Sequence, residues 1–257
     1  TDSVTPFVVT INSNNVPIGT VTISKGSPQV FAVDKQYIAT STATDALNVR
    51  TFGLHLVAST PFYCTLRLAS STTHAEILTS KGRAGIGNEF YVANTPGIYT
   101  GSTLFNFTAG VLATEDNTTV TVTWNNAPAP VFVSGNPPTN TQTFTLNKGQ
   151  SYIYAGTGAN ASNLQSFIGA HIVSDKPITL TNGNNNGNFG TVTNSGSDII
   201  MDQSVPVEKL GNTFAMVRTR STSADMEGGI IIATEDNTGI FLNGSGVAVA
   251  TINSGQW

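Results

Sequence analysis

Residues 118–124 read "TTVTVTW", and their alternation decides the fold class. Val120, Val122 and Trp124 fall on one side of an extended chain, with Thr119, Thr121 and Thr123 on the other. The same period of two runs through "GTVTIS", "TQTFTLNKG", "SYIYAG", "KPITLTNG" and "GIFLNG". Helical periodicity is almost absent. Gly, Asn, Pro and Asp punctuate the chain every five to ten residues, as expected of antiparallel sheets rather than βαβ units. The runs "TAGVLAT" and "GGIIIAT" are continuously apolar and predict strands buried on both faces. The Asn- and Gly-rich tract from Asn182 to Asp198 reads as a loop. The class is all-β.

Composition narrows the function. Charged residues make up 10% of the 257 positions, against roughly 25% in an average soluble protein. Polarity comes from Thr, Ser, Asn and Gly, a pattern common in extracellular β-rich proteins. A net charge of −4 with 11 basic residues argues against nucleic acid, which needs clustered Lys and Arg. No apolar run is long enough to span a bilayer as a helix, so membrane insertion is not expected. Cys64 is the one cysteine, so an intrachain disulfide, a thiolate zinc site and a CxxC pair are all excluded. The chain opens inside one apparent strand and closes after another, which fits a piece of a longer protein.

The strand after Thr118 follows a hexapeptide, Ala-Thr-Glu-Asp-Asn-Thr, that occurs at 113–118 and again at 233–238. Other landmarks recur in the same order. "FGLHLVASTPF" from Phe52 matches "IGAHIVSDKPI" from Ile168, which pairs Gly53 with Gly169, His55 with His171 and Pro61 with Pro177. "GNEFYV" from Gly87 matches "GNTFAMV" from Gly211, and Lys25-Gly26 resembles Lys148-Gly149. The repeat is about 120 residues, too long for one propeller blade and suited to a β-sandwich. Counting from the hexapeptides gives unit one at 1–115, unit two at 116–235 and the start of a third at 236–257. Tandem sandwiches are expected, with propeller blades as the alternative. Unit two shows no counterpart of "LTSKG" at 78–82.

The chemical candidates are few. Glu115-Asp116 and Glu235-Asp236 put adjacent carboxylates in each copy. Neighbours in an extended chain point to opposite faces, so one dipeptide cannot supply the converging pair a glycosidase needs. Asp and Asn between two strands read as a turn, held by side chain to backbone hydrogen bonds. A calcium site would need further oxygen ligands from elsewhere. His55 and His171 predict one shared strand position, and His74 predicts exposure. "KGRAGIG" at 81–87 lacks the ending of a phosphate loop. Cys64 reads as an inert thiol. Thr-x-Thr in "TTVTVT" is reminiscent of an ice-binding face, although the spacing is not sustained along the chain. No catalytic, cofactor or metal residue is assigned. Aromatics that would line a sugar groove are Trp124, Tyr91, Tyr99 and Phe189, with Trp124 expected in the core.

In order, "ILTSKGRAGIGNEFYVA", "FTAGVLATEDNTTVTV", "FTLNKGQSYIYAG", "GAHIVSDKPITLTNG", "VPVEKLGNTFAMVRT" and "GIIIATEDNT" resemble one family. It is the N-terminal region of very large bacterial gliding-motility-type surface adhesins exported by type IX secretion. It is related to the IgGFc-binding protein N-terminal domain repeat. Unit one departs from it at "STPF", where unit two has "DKPI". The resemblance implies a non-enzymatic adhesion module on the bacterial outer cell surface, without a cofactor. Its implied partners are surface glycans or other cell-surface components and the secretion and motility machinery, with possible self-association. A carbohydrate-binding module or a structural subunit of an extracellular filament is the alternative.

Overall fold

A computed structural model describes residues 1–38, 43–69, 75–96, 106–158, 161–187, 198–217 and 228–257. Its strands, in chain order, begin with β1 (Phe7–Ser13), β2 (Val16–Ile23), β3 (Val49–Arg50), β4 (His55–Ala58), β5 (Thr65–Ala69) and β6 (Ala75–Thr79). Then come β7 (Gly87–Tyr91), β8 (Asn106–Ala113), β9 (Thr118–Thr123), β10 (Thr141–Leu146) and β11 (Ser151–Ala155). The last are β12 (His171–Gly187), β13 (Asp198–Gln203), β14 (Thr238–Ile240) and β15 (Ala250–Ile252). Helical structure among the described residues is confined to short 3-10 turns. The protein is all-β, built as a sandwich around one eight-stranded sheet.

Long strand β12 joins the two layers. Its first part, His171–Ser174, lies between β9 and β7, with β10 beyond β9. Its second part, from Ile178 onward, lies between β8 and β13, with β11 and β3 beyond β8. The register shifts across Asp175–Pro177 separate the two parts. All pairings are antiparallel, and β8 and β9 do not pair with each other: they follow one another along β12, each antiparallel to one of its two parts, with a short turn between them.

Period-two alternation sorts side chains between the layers. Phe107, Ala109, Val111 and Ala113 of β8 face inward, as do Val120 and Val122 of β9 and Ile172, Ile178 and Leu180 of β12. Trp124, Phe132, Tyr154, Phe167 and Phe107 form an aromatic cluster at one end, with ring centroids 4.6 to 6.2 Å apart. Edge and offset contacts of that kind add to the area each ring buries. Trp124 is 5% exposed, so it belongs to the core.

The sequence repeats map onto repeated strands. His55, Leu56, Val57 and Ala58 of β4 pair with Asn12, Ile11, Thr10 and Val9 of β1. His171, Ile172, Val173 and Ser174 pair with Thr123, Val122, Thr121 and Val120 of β9 in the same register. Sheet β2-β1-β4 is therefore a second copy of β10-β9-β12, and hairpin β14-β15 is a third copy of the β9-β10 hairpin. Strand β6 leads through a 3-10 turn at Gly82–Gly85 into "GNEFY", and β13 leads through one at Val207–Lys209 into "GNTFA". So "LTSKG" does have a structural counterpart in the Asp198–Ser204 stretch, masked in sequence because only its strand and turn are shared. The division at 115/116 given by the hexapeptide count lies in the turn between β8 and β9, two consecutive strands that both pair with β12.

Two expectations are corrected. "GGIIIAT" forms no ladder in the described residues, and Ile231 is 43% exposed rather than buried on both faces. Residues 182–187 of the Asn-rich tract are the end of β12 rather than a loop. Asn182 accepts the Ala93 N–H at 2.7 Å, and Asn184 accepts the Thr95 N–H at 2.7 Å and its hydroxyl at 2.8 Å. These buried amides do the work of a paired strand for residues 93–95. The rest of that tract up to residue 197 lies outside the described residues.

Candidate functional site

The hexapeptide turns out to be half of a clasp. Asn117 takes a left-handed φ of 53°, which lets the chain turn sharply from β8 into β9. Thr118 donates its hydroxyl to the Glu115 carbonyl at 2.8 Å. The other half is "NKGQ", 147–150. Asn147 accepts the Asn117 N–H at 3.1 Å, and Asp116 Oδ1 accepts the Lys148 N–H at 3.0 Å. Gly149, at φ 82°, donates to the Ala113 carbonyl at 2.9 Å, and Ala113 donates to the Gln150 carbonyl at 3.0 Å. Gln150 closes its own loop by accepting the Asn147 N–H at 2.8 Å.

The second copy repeats this bond for bond. Asn237 has φ 57°, and Thr238 donates to the Glu235 carbonyl at 2.7 Å. Its partner is "NSGQ", 253–256. Asn253 accepts the Asn237 N–H at 2.9 Å, and Asp236 accepts the Ser254 N–H at 3.1 Å. Gly255, at φ 75°, donates to the Ala233 carbonyl at 2.9 Å, and Gln256 accepts the Asn253 N–H at 2.8 Å. Each aspartate oxygen accepts a backbone amide of the partner loop, so Asp116 and Asp236 hold the clasps together. The recurrence of Asn-x-Gly-Gln was the sequence signal for the second half of the clasp. It was hidden because it follows the hexapeptide at two different distances.

A broad face lies on the outside of β10-β9-β12-β7. Antiparallel register sets side chains in ranks across the four strands. One rank is Thr141, Thr123, His171 and Tyr91, and the next is Thr143, Thr121, Val173 and Glu89. Thr145 and Thr119 begin a third. The hydroxyls of Thr121 and Thr143 are 3.0 Å apart, and those of Thr123 and Thr141 are 3.2 Å apart. β-Branched neighbours of this kind stiffen the surface at little entropic cost. His171 stacks on Tyr91 with centroids 4.6 Å apart, and its Nε2 lies 2.8 Å from Glu89 Oε1. The result is a flat, weakly charged surface bearing hydroxyls, one aliphatic side chain and a His–Glu pair. Such a surface can bind, but it has no cleft and no nucleophile set beside a base.

The remaining candidates are scattered. His55 sits at the strand position of His171 but faces a different environment. Burial lowers its pKa, and the nearby Lys148 charge lowers it further. Cys64 is a half-buried free thiol whose pKa burial raises, which keeps it protonated and unreactive. "KGRAGIG" is the 3-10 turn before β7, with Gly82 at φ 55°. Tyr91 does not line an open groove: its hydroxyl donates to the Thr234 carbonyl at 3.3 Å and lies 2.7 Å from Ser254 Oγ, docking the second clasp. Tyr99, Phe189 and His74 lie outside the described residues. Among the described residues, no group of three or more His, Cys, Asp or Glu is placed to hold a metal, and no helix is long and apolar enough to cross a membrane.

A family model described as IgGFc binding protein matches residues 75–257, well over half the chain. The match begins at the first residue of β6 and takes in every strand of the eight-stranded sheet except β3, together with both clasps. No curated protein and no solved structure matches.

Proposed function

The chain belongs to the IgGFc binding protein family, and on that premise we propose that it is an extracellular, non-enzymatic binding module. The finer reading is a segment of a bacterial cell-surface adhesin of the gliding-motility type, exported by type IX secretion. Its partners would be surface glycans or other cell-surface components, held on the hydroxyl-bearing outer face of β10-β9-β12-β7.

The observation that carries this reading is the ranked face itself. Thr121, Thr123, Thr141 and Thr143 stand in register beside His171, Val173, Tyr91 and Glu89. In the acidic hexapeptides, the chain's best candidates for chemistry, Asp116 and Asp236 are taken up by the backbone amides of Lys148 and Ser254. A flat polar surface recognises by many weak contacts, so affinity depends on avidity across repeated units rather than on one pocket.

The test is a screen of the chain, immobilised at high density, against arrayed glycans and bacterial surface polysaccharides. Binding to a subset should fall about tenfold or more in the double variant Thr121→Glu, Thr143→Glu, which places like charges at the centre of the face. The variant should keep its melting temperature within a few degrees, since both side chains point outward. Unaltered binding in that variant would place recognition elsewhere. Turnover of any glycoside that disappears with Glu115→Gln would overturn the non-enzymatic reading.

A further inference from the structure

We propose that each clasp is also a joint: it locks its own copy of the repeated sheet onto the copy before it, through bare backbone at paired glycines, so that successive copies hold a fixed orientation. The copies are β2-β1-β4, β10-β9-β12 and the hairpin β14-β15. Four recurring glycines meet at the joints between them. Gly53 and Gly169 stand two residues before the histidines that open β4 and β12, and Gly149 and Gly255 stand third in "NKGQ" and "NSGQ". All four have positive φ, from 75° to 142°.

At the second joint, Gly169 lies against Gly255. A Cβ on Gly169 would fall on the Gly255 carbonyl oxygen and 2.8 Å from its carbon, and a Cβ on Gly255 would lie 3.1 Å from the Gly169 carbonyl oxygen. Tyr91 completes the contact, its hydroxyl reaching the Thr234 carbonyl and Ser254 Oγ in the two halves of the clasp. At the first joint, Gly149 lies against the turn from β1 to β2, where its Cβ would stand 2.6 Å from the Asn15 nitrogen and 2.9 Å from the Asn14 carbonyl carbon. The two seats correspond. Asn12 and Thr123 face the repeat histidines in the same register, which makes Asn126 the counterpart of Asn15. Asn126 donates to the Ile168 carbonyl, next to Gly169, at 2.9 Å. Gly53 packs on the sandwich as well, a Cβ there falling 2.9 Å from Leu112 Cδ1.

Glycine here serves close approach, not freedom: backbone meets backbone with no side chain to yield between them. Neighbouring units joined by small contacts move relative to each other by default, and in a tandem array each unit touches only its neighbours, so the joint sets the shape of the whole. The first joint has a further tie in the β3–β11 ladder. The joints do not depend on what the outer threonine face binds, so either idea can fail alone.

Pulsed electron paramagnetic resonance in a Cys64→Ala background tests this. Spin labels go on exposed positions, at Thr20→Cys and Thr145→Cys across the first joint and at Thr145→Cys and Val247→Cys across the second. Each pair should give one narrow distance distribution in the otherwise unaltered chain. Asn accepts a left-handed backbone, so Gly149→Asn and Gly169→Asn keep their loops while placing a Cβ where the neighbouring backbone lies. Gly169→Asn should broaden the second distribution about twofold or more and leave the first unchanged. Gly149→Asn should shift or broaden the first alone, by less, because the β3–β11 ladder remains. Asp116→Ala, which loosens a clasp without crowding its joint, should leave both narrow. If Gly169→Asn does not fold, Tyr91→Phe, which deletes only the hydroxyl, takes its place and should broaden the second distribution. Broad distributions in the otherwise unaltered chain would show copies that swing freely and would overturn the proposal. So would a second distribution that stays narrow in the folded variant.

Discussion

His55 and His171 hold one strand position in two copies of the same small sheet, yet the residues around them give each a different task. His171 stacks on Tyr91 and meets Glu89 across 82 positions of sequence, a pairing no local pattern announces. His55 meets burial and the Lys148 ammonium instead, and both favour the neutral ring. Its folded-state pKa lies below the ordinary 6.5, so the unfolded chain takes up the proton first. The stability this neutral ring contributes is whole above that ordinary value and is lost as pH falls through the folded one. Melting temperatures measured between about pH 7.5 and pH 5 should therefore drop further in the wild type than in His55→Gln, whose side chain cannot protonate. Equal slopes would show that His55 is solvated in the folded chain. The shared position of the two histidines was legible from the repeat. Their chemistry was not, because it comes from residues brought close only by the fold.

At the scale of an element, period-two alternation was enough to place β9, β10 and β11 as strands. It failed where polar side chains replace strand partners. Asn182 and Asn184 look like loop residues, yet their amides hold the backbone at 93 and 95. It failed again at Ile230–Ile232, an apolar strand sequence that forms no ladder in the described residues. The clasp was half legible: the hexapeptide marked a turn, and its "NKGQ" partner lay too far along the chain to be read as part of it. Its strength can be measured. Asp116→Ala removes the carboxylate that accepts the Lys148 amide, a charge-assisted bond at a loop closure, and should cost about 1–2 kcal/mol in urea unfolding. Asp236→Ala, the equivalent change at Ser254, should cost less, since hairpin β14-β15 has fewer strands depending on it. Equal losses would mean that the second hairpin is as strongly coupled to the core as the first.

For the whole molecule, a unit of sequence repeat and a unit that folds are different things. The hexapeptide is the most visible landmark, so counting from it divides the chain at 115/116. That point lies between β8 and β9, and β12 pairs with both of them. A fragment of residues 116–235 lacks β7 and β8. Val111, Ala109, Phe107 and Phe90, all fully buried, would be missing from its core, and β12 would be bare along one edge of each of its two parts. A fragment of residues 75–217 keeps β6 to β13, the aromatic cluster and the first clasp, and it begins where the family match begins. Its apolar core is essentially intact, since 18 buried residues from Phe90 to Leu180 make up the main cluster. Expressed separately, 75–217 should give a β-rich circular dichroism spectrum and one cooperative thermal transition, because a core of this size suffices for a domain of its length. The 116–235 fragment should give a disordered spectrum and no transition. If 116–235 melts cooperatively and 75–217 does not, the folding unit follows the hexapeptide count, and the pairing of β12 with β7 and β8 is dispensable for the fold.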